Sequence, residues 1–175
     1  MTDEEVLMFA VGDKVVHPAH GAGTIAAVEV KDVHESFNRY YVIELAGREM
    51  RLMVPVRMAE EIGLRPIAPR KVTDEVFTVL ASVPDALPDD FKERQAALGK
   101  RIREGNAVTL ACVVRDMAAR GREKAYSPTE ARLFEQARNM LCGEVALALD
   151  VDVADTQRRI EEAVLPGAPA EAKGD

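Results

Sequence analysis

The stretch VGDKVVHPAHGAG, residues 11–23, decides which fold the first half of the chain adopts. Its run DKVVHP is typical of a short strand that ends at a proline, and the glycines that follow permit a tight turn. Asp13, His17 and His20 offer a second interpretation, because carboxylate and imidazole groups are common metal ligands. The strand and turn are favoured, since a three-ligand site would need Asp13 to fold back across a strand and no cysteine lies nearby.

Outward from this stretch, residues 11–55 keep a period of two that is interrupted by glycine and proline. Three further segments are typical of strands: GTIAAVEV, RYYVIELA and EMRLMVPV. The polar run KDVHESFN, residues 31–38, is expected to form a hairpin tip, and a tighter turn is expected around Gly47. Four or five short strands in about sixty residues cannot bury two faces as an open sheet, so we predict a small, strongly bent barrel of the SH3 or Tudor type.

From Pro69 onwards the apolar residues recur at helical spacing, which predicts an all-α second half. The clearest helix start is SPTE, residues 127–130, where a serine cap is followed by proline at the first helical position and glutamate at the third. The helical spacing of the apolar residues and the capping residues together predict about five helices. Their predicted first or capping residues are Thr73, Asp89 or Asp90, Asn106, Ser127, and Asp152 or Asp155.

The change of period predicts an α+β protein with two domains. We expect a small SH3/Tudor-like β-barrel over residues 8–68 and an all-α helical bundle over residues 71–164. Residues 1–7 are interpreted as an N-terminal extension, and residues 165–175, which are small and polar, as a disordered tail. No run of residues is apolar enough to span a bilayer and the first residues are acidic, which favours a cytoplasmic protein without a membrane partner.

The formal net charge of −7 argues against a protein that coats nucleic acid non-specifically. Residues 91–124 depart from this average, because they contain nine basic and four acidic residues. A basic face on an acidic protein favours a partner that first positions the chain beside nucleic acid. An ordinary solvated helix surface fits the charge alone equally well.

The sequence contains no residue pattern that supports catalysis or a cofactor. None of the serines lies in a nucleophile motif, and GAG at residues 21–23 lacks the lysine of a phosphate-binding loop. Cys112 and Cys142 lie in predicted helices without a CxxC motif, which is typical of small buried side chains. We therefore expect a protein that is not an enzyme and that needs no cofactor or metal.

Two features instead indicate macromolecular partners. The strand MRLMVP ends at Pro55, which fits an edge strand that can pair with a strand of another protein. Phe91 stands at the start of a predicted helix, beside Lys92 and Arg94. This position fits core packing, and it also fits an apolar side chain that inserts at a DNA step while neighbouring charges contact phosphates.

Several separated motifs resemble the CarD/CdnL family of bacterial transcription regulators. They are FAVGDKVVHPAHGAGTIAAVE, MRLMVPVRMAEEIGLR, VVRDMA and SPTEARLFEQARNMLCGEVALAL, and the likeness runs from Met8 to about Ile160. The first half is also similar to the polymerase-binding module of transcription-repair coupling factors. The short chain, without a long basic tail, is most similar to the CdnL type.

The resemblance implies a regulator without enzymatic activity, and because nothing in the sequence predicts a coiled coil we expect a monomer. Its barrel would dock on the β subunit of RNA polymerase by strand pairing, with Lys31, Arg51 and Met53 as the docking residues. Its helical domain would contact promoter DNA, weakly by itself, at the upstream edge of the transcription bubble and stabilise the open complex. The residues expected to face DNA are Phe91, Lys92, Arg94, Lys100 and Arg101.

The main departure from the family is that the chain contains no tryptophan. Family members carry a tryptophan at the position of Phe91, and two neighbouring basic or aromatic positions have become Gln95 and Ala96. This leaves open an alternative function, an adaptor that binds polymerase or another regulator without productive DNA contact. A third alternative, a small metalloenzyme built on His17 and His20, has the least support.

Overall fold

The computed structural model describes residues 6–34 and 37–165 of the 175-residue chain. The strands are β1 (Lys14–His17), β2 (Gly21–His34), β3 (Phe37–Leu45), β4 (Arg51–Pro55) and β5 (Arg65–Pro66). They form one antiparallel sheet with the order β4-β3-β2-β1-β5. A 3-10 turn (Val56–Met58) and the short helix α1 (Ala59–Ile62) connect β4 to β5.

The predicted antiparallel β fold is confirmed, but the sheet does not close into a barrel. Within the two described ranges, β4 pairs only with β3 and β5 pairs only with β1, so these strands are the sheet edges. Tyr41, Ile43 and Leu45 are buried on one face, as the alternation in β3 predicts. Phe9 and Leu64, which lie outside the long strands, complete this core, so flanking segments cover the sheet instead of a further strand.

The hairpin predicted at residues 31–38 is confirmed, but the connection between its strands is shorter than predicted. The backbone of β2 continues to His34 and β3 begins at Phe37, and these two residues pair across the hairpin. Polarity indicated a loop here, whereas these residues extend the two-stranded ladder; residues 35 and 36 lie outside the described residues. The tighter turn is confirmed at Gly47, whose φ of 70° favours glycine.

The second half of the chain consists of helices with well-defined starts. They are α2 (Arg70–Leu80), α3 (Phe91–Glu104), α4 (Ala107–Glu123), α5 (Pro128–Leu149) and α6 (Val153–Ala163). Asp90 and Asn106 accept hydrogen bonds as N-caps, and Ser127 and Glu130 form the expected capping box. Thr73 was the wrong start for the first of these helices, because the backbone is already helical from Arg70 and the Thr73 hydroxyl donates to the Arg70 carbonyl.

The helical core packs directly against the sheet through α5. A Cβ on Gly143 of α5 would lie 3.6 Å from the Ala46 side chain and 3.7 Å from the Ala22 side chain, so this helix lies close against the sheet. The buried Glu144 carboxylate accepts two hydrogen bonds from Arg65 of β5, at 2.8 and 2.9 Å. The sheet and the bundle therefore share a packed junction, although the domain boundaries that we predict remain predictions.

The predicted extension and tail fall largely outside the described residues, since neither residues 1–5 nor residues 166–175 are described. In the part of the chain that is described, no helix combines the length and the apolar character needed to cross a bilayer.

Candidate functional site

Phe91 is the first residue of α3 and lies largely outside the helical core. Its side chain is 45% exposed, whereas Leu98 and Ile102 of the same helix are buried in the bundle. Asp90 precedes it as the N-cap and accepts a hydrogen bond from the Glu93 backbone amide at 2.9 Å. The helix start therefore presents an aromatic ring near solvent, which core packing alone does not require.

Arg94, by contrast, is buried, with only 6% of its surface exposed. Its Nε donates to Glu130 Oε1 at 2.6 Å, and one terminal nitrogen donates to the carbonyls of Pro88 and Asp89 at 2.8 and 2.9 Å. These contacts correct the prediction that Arg94 faces DNA, because its guanidinium is hydrogen-bonded inside the bundle. Burial of a charged group requires such partners.

Glu130 is the centre of a buried ionic cluster, which we define as Glu130, Arg94, Arg120 and Ser127. Arg120 Nε donates to the same Oε1 atom at 3.0 Å, and the Ser127 backbone amide donates to Oε2 at 2.8 Å. Burial alone would raise the pKa of Glu130. The hydrogen bonds from Ser127, Arg94 and Arg120 outweigh it and lower the pKa from 4.5 to about 2, so the carboxylate is ionised at neutral pH.

The remaining residues predicted to face DNA are spread along α3. Lys92 is exposed beside Phe91, and Lys100 is exposed as well. Lys100 follows Phe91 by nine residues, which corresponds to about 13 Å along a helix axis. Arg101 is only partly exposed and donates to the buried Asp116 carboxylate at 3.2 Å. The structure therefore brings Phe91 and Lys92 together and separates Lys100 and Arg101 from them.

The end of α4 contributes basic residues that our predicted site residues omitted. Because Arg120 and Arg94 contact the same Glu130 oxygen, the last turn of α4 lies at the same end of the bundle as Phe91. Arg122 and Lys124 are exposed at this end of α4, and Arg122 also donates to the Val164 carbonyl at 3.1 Å. We call this surface the Phe91 end and define it as Phe91, Lys92, Arg120, Arg122 and Lys124. The charge excess of residues 91–124 pointed to these side chains, but only the helix packing shows which end of the bundle they occupy.

The loop that leads into Phe91 is held by a second ionic network. Arg115 donates from one terminal nitrogen to Ser82 Oγ and from the other to Asp85 Oδ2, both at 2.8 Å. Asp116, which is buried, accepts from Arg115 Nε at 2.8 Å and from the Asp85 backbone amide at 3.0 Å. The segment between α2 and α3 is therefore fastened to α4 before it reaches the Phe91 end.

Of the residues predicted to dock on polymerase, Arg51 and Met53 lie on the open edge strand β4, and Lys31 lies on β2. Lys31 Nζ lies 3.5 Å from the sulfur of Met53, so the register brings these two residues together. Arg51 lies two residues before Met53 and forms an ion pair with Glu44 of β3 at 2.8 Å. Met53 is 37% exposed, and Arg51 is exposed too, so the three side chains lie on an accessible part of the sheet.

Of the two histidines of the opening stretch, His17 is the last residue of β1 and His20 lies in the turn that follows. Their rings are 4.8 Å apart, and His17 Nδ1 accepts a hydrogen bond from the Ala19 backbone amide at 3.0 Å. Burial lowers the pKa of His17 and the charge of His20 lowers it further. Over residues 6–34 and 37–165, no three histidine, cysteine or acidic side chains are grouped so as to hold a metal ion.

The two cysteines are free, and they differ in burial. Cys142 is buried as predicted, and burial raises the pKa of its thiol to about 11. Cys112 is only half-buried, so the prediction of two buried cysteines holds for one of them.

Comparison with known proteins gives matches to both halves of the chain. The family model described as "CarD-like/TRCF RID domain" matches residues 9–68, and the model described as "CarD, C-terminal domain" matches residues 75–161. The chain is also similar to "Putative transcription factor YdeB" of Bacillus subtilis (strain 168), with 29% identity over 154 residues. That alignment covers 88% of this chain and 98% of the relative.

Proposed function

Because the chain belongs to the CarD family, we propose that it docks on the β subunit of bacterial RNA polymerase through β4 and stabilises the promoter open complex with its Phe91 end. At the coarser level the protein is a transcription regulator that acts with RNA polymerase, and its family is one of transcription factors. The observation that carries the finer proposal is the exposed ring of Phe91 at the first position of α3.

The two sheet edges differ in what they offer a partner. β5 has only two residues, and its Arg65 is engaged by Glu144 of α5. β4 has five residues and, in the described part of the chain, no strand pairs with its outer side. An exposed edge of this length supports the addition of a strand from another protein. Met53 adds a flexible apolar side chain that can adapt to a partner surface.

The Phe91 end combines the two groups that a DNA junction requires. An exposed aromatic ring can stack on a base or insert at an unstacked step, and phenylalanine is among the side chains that do so. Exposed Lys92, Arg122 and Lys124 supply cations for phosphates on either side of that step. We assign these residues to the DNA contact and leave Arg94 out of it.

The charge of the whole chain fits a regulator that polymerase delivers to its site. With a net charge of −7, the free protein has the same sign of charge as DNA and is repelled by it overall. Once a tight contact with polymerase has oriented the chain, its basic Phe91 end is already close to DNA. The entropic cost of bringing this end to the phosphates is then small.

The adaptor function remains the second candidate, because two observations favour it. Arg94 is buried and Arg101 is paired with Asp116, so fewer cations reach DNA than the sequence suggests. Exposed Asp89 and Asp90 also precede Phe91. An adaptor of this kind would bind the β subunit and leave the stability of the open complex unchanged.

The deciding experiment measures the lifetime of the open complex with Phe91→Ala. Stacking on a base contributes about 1–3 kcal/mol, so the substitution should shorten the lifetime roughly tenfold without changing affinity for polymerase. Val83→Ala is the matched control, because Val83 is an exposed apolar residue in the loop before α3. Phe91→Trp should lengthen the lifetime, since the larger ring stacks over more area. An unchanged lifetime with Phe91→Ala would favour the adaptor.

A further inference from the structure

The contacts of Arg94 join two helices, α3 and α5, to the residues that directly precede Phe91. Its Nε binds Glu130 of α5, and one terminal nitrogen binds the carbonyls of Pro88 and Asp89. The next residues are the N-cap Asp90 and then Phe91 itself. The guanidinium carbon also lies 5.9 Å from the centre of the Phe91 ring, within the range of a cation–π contact.

Glu130 fixes the other side of this arrangement. Its Oε1 accepts from Arg94 and Arg120, and its Oε2 accepts from the Ser127 backbone, so the carboxylate cannot turn without losing a bond. Replacement of a buried ion pair by apolar groups often leaves a fold equally stable. Packing of α3 against α5 therefore does not by itself require these charges. The planar guanidinium, with several donors in a fixed geometry, is what holds two loop carbonyls and a carboxylate at once.

We propose that Glu130 and Arg94 are positioning residues. They hold the backbone before α3 so that the Phe91 side chain has the orientation needed for contact with DNA. This inference rests on the proposed function, because it concerns how the DNA-contacting side chain is oriented. Neither residue contacts the nucleic acid. Arg94 acts through the carbonyls of residues 88 and 89, and Glu130 acts through Arg94.

The first test uses residue 91 itself as a spectroscopic probe. The chain contains no tryptophan, so Phe91→Trp introduces a single indole whose nanosecond rotation can be followed by time-resolved fluorescence anisotropy. In the Arg94→Lys background the ammonium cannot bind Glu130 and both carbonyls together. The fast component of the anisotropy decay should then increase in amplitude, with no DNA present.

Arg138→Lys is the matched control for this measurement. Arg138 also pairs with a glutamate, Glu161, and also lies over a ring, with its guanidinium carbon 5.8 Å from the centre of Phe134. It belongs to the contact between α5 and α6 and not to the segment before Phe91. The anisotropy of Trp at position 91 should be the same with and without this substitution.

The second test is a double-mutant comparison of open-complex lifetimes. Arg94→Lys should shorten the lifetime about fivefold, less than the roughly tenfold effect of Phe91→Ala because the ring remains but is less preorganised, while affinity for polymerase stays the same. In the Phe91→Ala background the same substitution should have no further effect. A general loss of structure would shorten the lifetime in both backgrounds, so non-additivity separates positioning from a purely structural role.

Glu130→Gln gives an independent variant if Arg94→Lys does not fold, because glutamine keeps an oxygen for one donor and removes the charge. If Arg94→Lys or Glu130→Gln folds and leaves both the anisotropy decay at position 91 and the open-complex lifetime unchanged, the inference is overturned. If Phe91→Ala itself leaves the lifetime unchanged, the proposed DNA contact fails, and the anisotropy comparison still decides whether Arg94 holds the side chain at position 91.

Discussion

At the scale of single residues, burial separates the basic side chains that hold the fold from those that can reach a partner. Arg94 and Arg115 are both buried and bonded to acidic groups, although they belong to the segment with the largest excess of positive charge. Lys92 and Lys124 in the same segment are exposed. A charge count along the chain therefore overestimates the cations available to DNA, and the exposed subset is the one to consider for binding.

Met53 provides the residue-level prediction for the docking edge. If β4 docks as proposed, Met53→Glu replaces an apolar side chain at the contact with a carboxylate that must lose water, and we expect affinity for the polymerase β subunit to fall about tenfold. Val151→Glu is the control, because Val151 is 38% exposed and Met53 is 37% exposed. Affinities measured by biolayer interferometry with the isolated β subunit would compare the two. Equal affinity of Met53→Glu and the unmodified chain would mean that the docking surface lies elsewhere.

At the scale of helices and strands, local capping chemistry predicted most of the helix starts correctly. It failed where residues that are distant in the sequence determine the structure. The caps at Asp90, Asn106 and Ser127 were predictable because a capping side chain bonds to a backbone amide only a few residues away. Thr73 was a good cap by composition, yet α2 begins after Pro69 and buries Thr73 against the core.

The same limit explains what the sequence could say about the candidate site. Phe91 and Lys92 were identified because they are neighbours at a helix start. The burial of Arg94 depends on Glu130, which is 36 residues away on another helix, and no local pattern indicates that pair. Lys31 and Met53 are likewise 22 residues apart, and their contact follows from the register of three strands. The openness of the sheet was missed for a related reason, since flanking segments cover the core that a barrel would enclose.

Acid unfolding tests the ionic link between α3, α4 and α5. The pKa of Glu130 falls from 4.5 to about 2 on folding, so its stabilisation is complete above pH 4.5 and is lost as the pH falls towards 2. Glu130→Gln lacks this contribution, so at pH 7 its unfolding free energy should lie below that of the unmodified chain. This difference should shrink by about 3 kcal/mol between pH 7 and pH 2. Urea titrations over this range measure it.

Glu135→Gln is the control for the acid titration, because Glu135 lies on the exposed side of α5. Its unfolding free energy should follow that of the unmodified chain at every pH. A constant difference between Glu130→Gln and the unmodified chain across the range would show that the carboxylate is not held in its ionised form by the fold.

At the scale of the whole molecule, the sheet and the bundle are joined by direct packing in addition to the connecting chain. Glu144 of α5 accepts from Arg65 of β5 and, at 2.8 Å, from the Ala68 backbone amide. Lys14 of β1 donates to the Leu147 carbonyl at 2.8 Å. These contacts come from two paired strands, β1 and β5, and from the segment after β5, so the sheet and the bundle are joined at several points.

Glu144→Ala tests this junction. The substitution leaves Arg65 partly buried without its carboxylate, and we expect a loss of about 3 kcal/mol of unfolding free energy. Open-complex lifetime should shorten as well, while binding of the sheet to the β subunit persists. Glu161→Ala removes a more exposed ion pair with Arg138 and should cost less than about 1 kcal/mol. Chemical denaturation compares the two variants, and equal losses would contradict a special role for the junction.

The helix α5 links the proposed docking edge and the Phe91 end through its two buried glutamates. A change in the tilt of this helix at one end therefore displaces its other end. Glu130 near its start holds Arg94 and Arg120, and Glu144 near its finish holds the sheet. The two glutamates are fourteen residues apart, which corresponds to about 21 Å of helix. A tilt of about 10° at the sheet would displace the far end by about 4 Å, more than the 3.4 Å between successive bases of a DNA strand. On the proposed function, such an angular error in how the protein binds polymerase would displace the aromatic ring by about one base step, so its placement would require stiffness along the whole length of this helix.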